Sequence, residues 1–210
     1  MTRVIAGVAG GRRLAVPRGT ATRPTSDRAR EGLFASVLSE LGSLDGKRVL
    51  DLFAGSGAVG LEALSRGAAH VLLVESDARA AAVIKANVAA VGIAGAVVIT
   101  DRAERLLGQP PAGQRGAADR YDLVFADPPY AMAAAALTRV LTRLADGWLE
   151  AEALVVVERA TRSGPLDWPP GYWQGKSRRY GEATFWYGWH GSGAVAGQPP
   201  GTALRPGNEE

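Results

Sequence analysis

An α/β fold built on a doubly wound, mostly parallel sheet is predicted by three features of the sequence. From Arg48 onward, short apolar runs rich in β-branched residues alternate with helical segments, the pattern of βαβ units whose strands are buried on both faces. One strand runs directly into a glycine-rich turn, Ala54-Gly55-Ser56-Gly57-Ala58-Val59-Gly60, a connection suited to a strand followed by a helix. The length of 210 residues suits one well-buried domain, alone or with a small appendage, and is short for two large ones.

The elements follow in order. Residues 1–25 form a basic arm: Arg3, Arg12, Arg13, Arg18 and Arg23 fall there, and Arg28 and Arg30 follow, against Asp27 alone. Glycine and proline punctuation argues against a continuous helix in that arm. Thr25-Ser26-Asp27 then supplies N-cap candidates, and Leu33, Phe34, Val37, Leu38 and Leu41 recur at helical spacing, so a helix is predicted from Asp27 to Leu41, stopped by Gly42. Strands are predicted at Arg48 to Phe53, His70 to Glu75, Ala96 to Thr100, Tyr121 to Ala126 and Leu154 to Glu158. Helices are predicted near Ala58 to Arg66, Asp77 to Val91, Arg102 to Leu107 and Ala133 to Ala145.

Between Gln109 and Arg120 the prolines and glycines break any period and read as a surface loop. After Glu158, four tryptophans (Trp168, Trp173, Trp186, Trp189), the basic run Lys176-Ser177-Arg178-Arg179 and the β-rich Ala183 to Trp189 point to a closing C-terminal antiparallel hairpin. Residues 26–190 therefore make the folded domain. The Gly/Pro-rich tail 191–210 has too little apolar material to pack and is expected to be disordered.

Composition excludes several function classes. With no cysteine, disulfides, thiolate metal sites and a cysteine nucleophile are ruled out, and no metal is expected. No apolar run approaches the roughly 20 residues of a membrane span, and no signal core follows the first charges, so a cytosolic protein is expected. A formal net charge of +3 does not by itself mark a nucleic-acid binder.

Two motifs carry chemistry. In the glycine-rich turn, Gly55 and Gly57 allow a ligand to approach the backbone at a helix N-terminus, as adenosine-containing cofactors require. Glu75, at the end of the next strand, stands where a carboxylate can take both ribose hydroxyls. Neither feature separates a dinucleotide from S-adenosylmethionine. Asp51 tilts the choice, because a carboxylate just before Gly55 repels a pyrophosphate and suits a ligand bearing an ammonium group; the plainer reading of Asp51 is a buried acid satisfied by backbone donors.

The second motif is Asp127-Pro128-Pro129-Tyr130 at the end of the fourth predicted strand, the sheet edge where open α/β folds bind ligands. Its prolines remove two backbone donors and leave nearby carbonyls free to accept. The Asp127 carboxylate and the Pro128 carbonyl can each accept one N–H of an exocyclic amino group, localising its lone pair, while Tyr130 stacks on the base. As a lone feature it also fits an ordinary strand-ending turn.

Taken together, Asp51-Leu52-Phe53-Ala54-Gly55-Ser56-Gly57 and Asp127-Pro128-Pro129-Tyr130 resemble the cofactor and catalytic motifs of the class I amino-group methyltransferases. A narrower match is carried by the Arg/Gly-rich start, by Arg23-Pro24-Thr25 with Asp27, Arg28, Arg30 and Glu31, and by Leu61-Glu62-Ala63-Leu64-Ser65-Arg66-Gly67-Ala68. These resemble the bacterial 16S ribosomal RNA guanine-N2 methyltransferase family over about residues 3–189. The resemblance implies a seven-stranded Rossmann-like sheet, S-adenosylmethionine as donor, and N2 methylation of a guanine in small-subunit RNA. It carries over Asp51, Gly55 and Gly57 as cofactor contacts, Glu75 as the ribose ligand, and Asp127, Pro128 and Tyr130 as the catalytic set. Relatives usually present an acid directly before a small residue after the third strand; here Arg102 separates Asp101 from Ala103, so both Asp101 and Arg102 are candidates for the adenine.

The residues left over from the sheet and its helices are basic: Arg12, Arg13, Arg18, Arg23 and Arg28 toward the N-terminus, and Lys176, Arg178 and Arg179 toward the C-terminus. They are candidate phosphate contacts, and their small extent suits recognition of a folded 16S RNA or small ribosomal subunit by shape. A monomer is expected. Amino methylation of DNA adenine or of a protein glutamine, an NAD-dependent oxidoreductase and a non-catalytic RNA-binding module remain the alternatives.

Overall fold

The computed structural model describes residues 2–17, 26–109 and 120–191. Arg18, Arg23, most of the predicted loop at Gln109 to Arg120 and nearly all of the 191–210 tail lie outside the described residues.

The chain opens with two short antiparallel strands, β1 (Thr2–Arg3) and β2 (Arg13–Leu14). Helix α1 (Asp27–Leu41) starts where Ser26 Oγ accepts the Ala29 N–H at 3.2 Å and stops at Gly42, whose φ of 74° a residue with a side chain rarely adopts. There follow β3 (Arg48–Leu52), α2 (Ala58–Ser65), β4 (His70–Glu75), α3 (Ala78–Val91), β5 (Ala96–Thr100), α4 (Ala103–Leu106) and β6 (Tyr121–Ala126). Then come α5 (Ala134–Ala145), β7 (Leu149–Ala160), a single 3-10 turn at Thr161–Ser163, β8 (Tyr172–Tyr180) and β9 (Ala183–His190).

Among the described residues, seven strands form one sheet in the order β5-β4-β3-β6-β7-β9-β8. The first five in that order run parallel, and β9 and β8 close the edge antiparallel, which is the doubly wound sheet and terminal hairpin that the sequence predicts. Apolar side chains alternate between the two faces. Val49, Val71, Leu73, Leu123, Phe125, Leu154 and Val156 pack against α1, α2 and α3; Leu50, Leu52, Leu72, Val74, Val124, Ala126, Val155 and Val157 pack against α4 and α5. The strand order reverses between β3 and β6, so the crevice for a ligand opens at the carboxyl ends of these two strands.

The N-terminal arm differs from the irregular basic segment expected. Val4, Ala9 and Leu14 are buried in the core, and Arg30, just beyond the arm, is 1% exposed and donates to the Arg3 carbonyl and to Asp27. The charged residues around these apolar ones concealed them: Arg3, Arg12 and Arg13 are exposed, while Ile5, Ala6 and Ala9 donate to Glu62 and Ser65 of α2. Strand β7 is also longer than predicted, because Leu149 to Ala153, interrupted in sequence by Glu150 and Glu152, joins the sheet through an irregularity opposite Tyr121 and Leu123.

Candidate active site

At the carboxyl end of β3 the chain bends sharply. Phe53 has a φ of 62°, a left-handed conformation that is costly for a bulky residue and concentrates at functional turns. Gly57 caps α2 with a φ of 75°, a left-handed conformation that favours glycine, and a Cβ there would press on the Ile84 and Leu73 side chains at 3.1 Å. Asn87 of α3, absent from the sequence-derived site, holds this turn. Its Nδ2 donates to the Ser56 carbonyl at 2.9 Å and also to the Ala15 carbonyl, while its Oδ1 accepts the Ala15 N–H, so one side chain ties the glycine turn to the N-terminal segment.

Strand periodicity pools negative charge beside this turn. Asp51, Glu75, Asp127 and Glu158 each stand at a position whose alternate neighbours face α1, α2 and α3, so all four carboxylates lie on one face of four neighbouring strands. Asp51 is 4% exposed and accepts the Gly60 N–H at 2.9 Å. Burial, opposed by that hydrogen bond and reinforced by the Glu75 charge, pushes its carboxyl up to about 7. Glu75 is fixed at both oxygens, accepting from Gly55 N at 2.9 Å and from Asp77 N at 2.8 Å. Asp127 is half-buried; burial first, then the charges of Glu158 and Asp51, holds its carboxyl well above the ordinary range.

This pooling has a consequence for the ligand-free protein. Asp51 binds its proton more tightly folded than unfolded, so stability falls as pH rises between the unfolded value of 3.8 and the folded value of about 7. Asp127 acts in the same direction, whereas the lowered carboxyls of Asp27 and Asp101 act only in more acid solution. The ligand-free protein is therefore expected to melt a few degrees higher at about pH 5.5 than at about pH 8, with the difference reduced in Asp51→Asn. Melting points that rise toward pH 8, or a slope unaltered by the substitution, contradict this assignment.

At the end of β5, Asp101 accepts from Arg105 Nε at 2.6 Å and from the Arg102 backbone N–H, and these contacts hold its carboxyl below the usual range. The Asp101 N–H in turn donates to the Glu75 carbonyl at 3.0 Å, which keeps Asp101 and the exposed Arg102 at the same sheet edge as the glycine turn. Beyond Asp127, Pro128 is buried and Tyr130 is 53% exposed. Burial, with the charges of Glu158 and Asp127, raises the Tyr130 hydroxyl above its ordinary value, so the ring presents a neutral face to a cavity of about 820 Å³. The same cavity is lined by Arg28, Glu158, Arg179 and Glu182.

The structure thus gathers Asp51, Gly55, Gly57, Glu75, Asp127, Pro128 and Tyr130 at the switch point and brings Arg28 and Arg179 to Tyr130. Among the described residues, it does not gather the other basic candidates. Arg12 donates to the carbonyls of Ala90 and Val91 at the end of α3. Lys176 pairs with Glu40 at 2.6 Å and lies over the Tyr187 ring. Arg13 and Arg178 are exposed on β2 and β8.

Comparison with known proteins decides what the crevice belongs to. The model of the family described as conserved hypothetical protein 95 matches residues 2–189. The ribosomal RNA small subunit methyltransferase D of Escherichia coli K12 is 38% identical over 174 residues, 79% of this chain and 80% of its own length. The chain belongs to this family. A structure of the Escherichia coli protein yhhF superposes with a TM-score of 0.77 at 32% identity, covering 91% of this chain and 99% of that one. A structure from Thermus thermophilus, hypothetical protein TTHA0928, gives 0.72 at 36% identity over 89% and 98%. The chain is a methyltransferase, which sets aside the dinucleotide reading of its glycine turn.

Proposed function

We propose that this methyltransferase transfers a methyl group from S-adenosylmethionine to the exocyclic N2 amino group of a guanine in small-subunit (16S) ribosomal RNA. The observation that carries the reading is the placement of Asp127-Pro128-Pro129-Tyr130 at the switch point, with exposed Tyr130 on the wall of the cavity that Arg28 and Arg179 also line. The donor set fits the cofactor: S-adenosylmethionine brings an activated methyl on a sulfonium together with an ammonium group, and the buried Asp51 and its carboxylate neighbours favour a cation. Asp51 and the Gly55–Gly57 turn hold its amino-acid part, Glu75 the ribose, and Asp101 or Arg102 the adenine edge.

The chain's own residues then supply alignment. Asp127 and the Pro128 carbonyl accept the two N–H groups of the base, which turns the nitrogen lone pair out of the ring plane, and Tyr130 stacks on the base to fix that plane. Transfer forms the N–CH3 bond, breaks the S–CH3 bond and leaves one surplus proton on nitrogen, for which Asp127, with its raised affinity for protons, is the nearest acceptor. Arg28 and Arg179 meet the RNA backbone at the mouth of the cavity, aided by the exposed Arg13 and Arg178 and, outside the described residues, by Arg18 and Arg23. The protein acts as a monomer in the cytosol. Among the described residues no helix is long and apolar enough to cross a membrane.

The test is to incubate the protein with tritiated S-adenosylmethionine and, separately, with naked 16S RNA, with small subunits from cells lacking the enzyme, and with duplex DNA. The labelled nucleoside is then identified. N2-methylguanosine from the RNA or the subunits is the expected product; label in DNA adenine, or in no nucleic acid, overturns the reading.

A further inference from the structure

The sequence-derived site omits Glu158, yet the sheet register places it beside Asp127. Ala126 of β6 pairs with Val157 of β7, so Asp127 and Glu158 are the next residues on adjacent parallel strands. They share the face on which Phe125 and Val156 lie. Glu158 is 8% exposed, and what it shows opens into the cavity lined by Tyr130, Arg28 and Arg179. A base stacked on Tyr130 with its amino group at Asp127 can turn the Watson–Crick edge beside that amino group toward Glu158 at the end of β7.

On guanine the atom next to the amino-bearing carbon on that edge is N1, which carries a hydrogen; on adenine and 2-aminopurine N1 carries a lone pair. Neighbouring strands lie about 4.8 Å apart, a spacing at which one carboxylate takes the amino group and the next takes the neighbouring ring N–H. We propose that Glu158 is a specificity-determining residue that accepts the N1–H of the target guanine and disfavours a base with a lone pair there. This rests on the guanine-N2 reading above. The pairing is a charge-assisted hydrogen bond made in a largely desolvated wall, where presenting a lone pair to a carboxylate is heavily penalised.

The experiment uses the full chain and 16S RNA, free or in rebuilt subunits, in which the guanine labelled by the wild type is replaced by 2-aminopurine, a base that keeps the amino group and lacks the N1 hydrogen. The wild type is expected to favour guanine by about a thousandfold in kcat/KM. In Glu158→Gln, whose amide can donate to the N1 lone pair, that ratio is expected to fall by about thirtyfold or more, because 2-aminopurine is used better while guanine is used worse. Glu158→Ala is expected to lose activity on guanine without the gain on 2-aminopurine. A purely structural role lowers both substrates alike and leaves the ratio unchanged, and that result overturns the proposal. A wild-type preference under about tenfold overturns it with no variant at all. A wild-type product other than N2-methylguanosine instead overturns the function on which the proposal rests.

Discussion

Asp127→Ala is expected to lower the single-turnover rate of methyl transfer by about a thousandfold while leaving the affinity for S-adenosylmethionine within a few-fold of wild type. The split follows from position. Asp127 follows β6, one strand away from the Asp51-to-Gly57 turn proposed to hold the donor, and its backbone N–H is tied to the Leu52 carbonyl at 3.4 Å, so removing the carboxylate leaves that turn intact. What disappears, in the proposed reaction, is the acceptor that orients the amino group and takes its proton. Asp127→Asn keeps an oxygen acceptor and loses the charge, so a smaller loss, on the order of tenfold to a hundredfold, is expected. The pH profile adds a sign. Because burial and the charges of Glu158 and Asp51 raise the Asp127 carboxyl, the wild-type rate is expected to climb with pH through a limb above the ordinary carboxylate range, and Asn is expected to abolish that limb. Equal losses in rate and donor affinity, or an identical pH profile in Asn, place Asp127 outside the chemistry.

The parts of this site legible in the sequence are those fixed by local rules. Strands His70–Glu75, Ala96–Thr100 and Tyr121–Ala126 fall where apolar runs place them. Asp127 and the glycine turn sit at the carboxyl ends of strands because a strand ends where its apolar run ends. Glu158 was equally visible as the last residue of a predicted strand, but its role depends on which strand lies beside it, and strand order is a property of the whole sheet. Asn87 is hidden for the same reason: nothing in Lys85-Ala86-Asn87 reveals that its amide meets Ser56 and Ala15, residues far away in the chain.

The basic residues mislead in the opposite direction. Read as a patch, Arg12, Lys176 and Arg179 are equivalent cations; in the fold Arg12 caps α3, Lys176 answers Glu40, and Arg179 reaches the cavity. Charge in a sequence reports solubility and the class of partner, and only the contacts assign each cation. Tyr172 illustrates the same limit among the aromatics, since its hydroxyl donates to the Leu141 carbonyl at 2.8 Å as a packing contact of β8 on α5.

Glu62→Ala is expected to be the most damaging substitution outside the active site, costing about 3 to 5 kcal/mol, a fall in Tm of roughly 10 °C for a chain of this size. Glu62 lies on α2 and is 0% exposed. It accepts from Ile5 N at 2.6 Å, from Ala6 N at 3.0 Å and from Arg66 Nε at 2.7 Å, so alanine strands two amides and a guanidinium that is itself held over the Phe34 ring. Nearby contacts bind the same segment without replacing this one: Ser65 Oγ accepts from Ala9 N at 2.9 Å, and the Ser65 carbonyl accepts from Val8 N at 2.8 Å. Because the N-terminal hairpin depends on α2 for these partners, its detachment is expected to accompany the loss of stability, exposing Arg12 and Arg13 to trypsin well below the melting temperature. Glu62→Gln retains an acceptor and is expected to cost less, on the order of 1 to 3 kcal/mol. Because α2 begins at the Gly57 cap of the turn proposed to hold the donor, the detached hairpin is also expected to weaken S-adenosylmethionine binding, measurable by calorimetry on the variant held below its Tm. An unchanged Tm and trypsin pattern in Glu62→Ala would show that the hairpin is held by its apolar contacts, Val4, Ala9 and Leu14, and that the buried carboxylate contributes little.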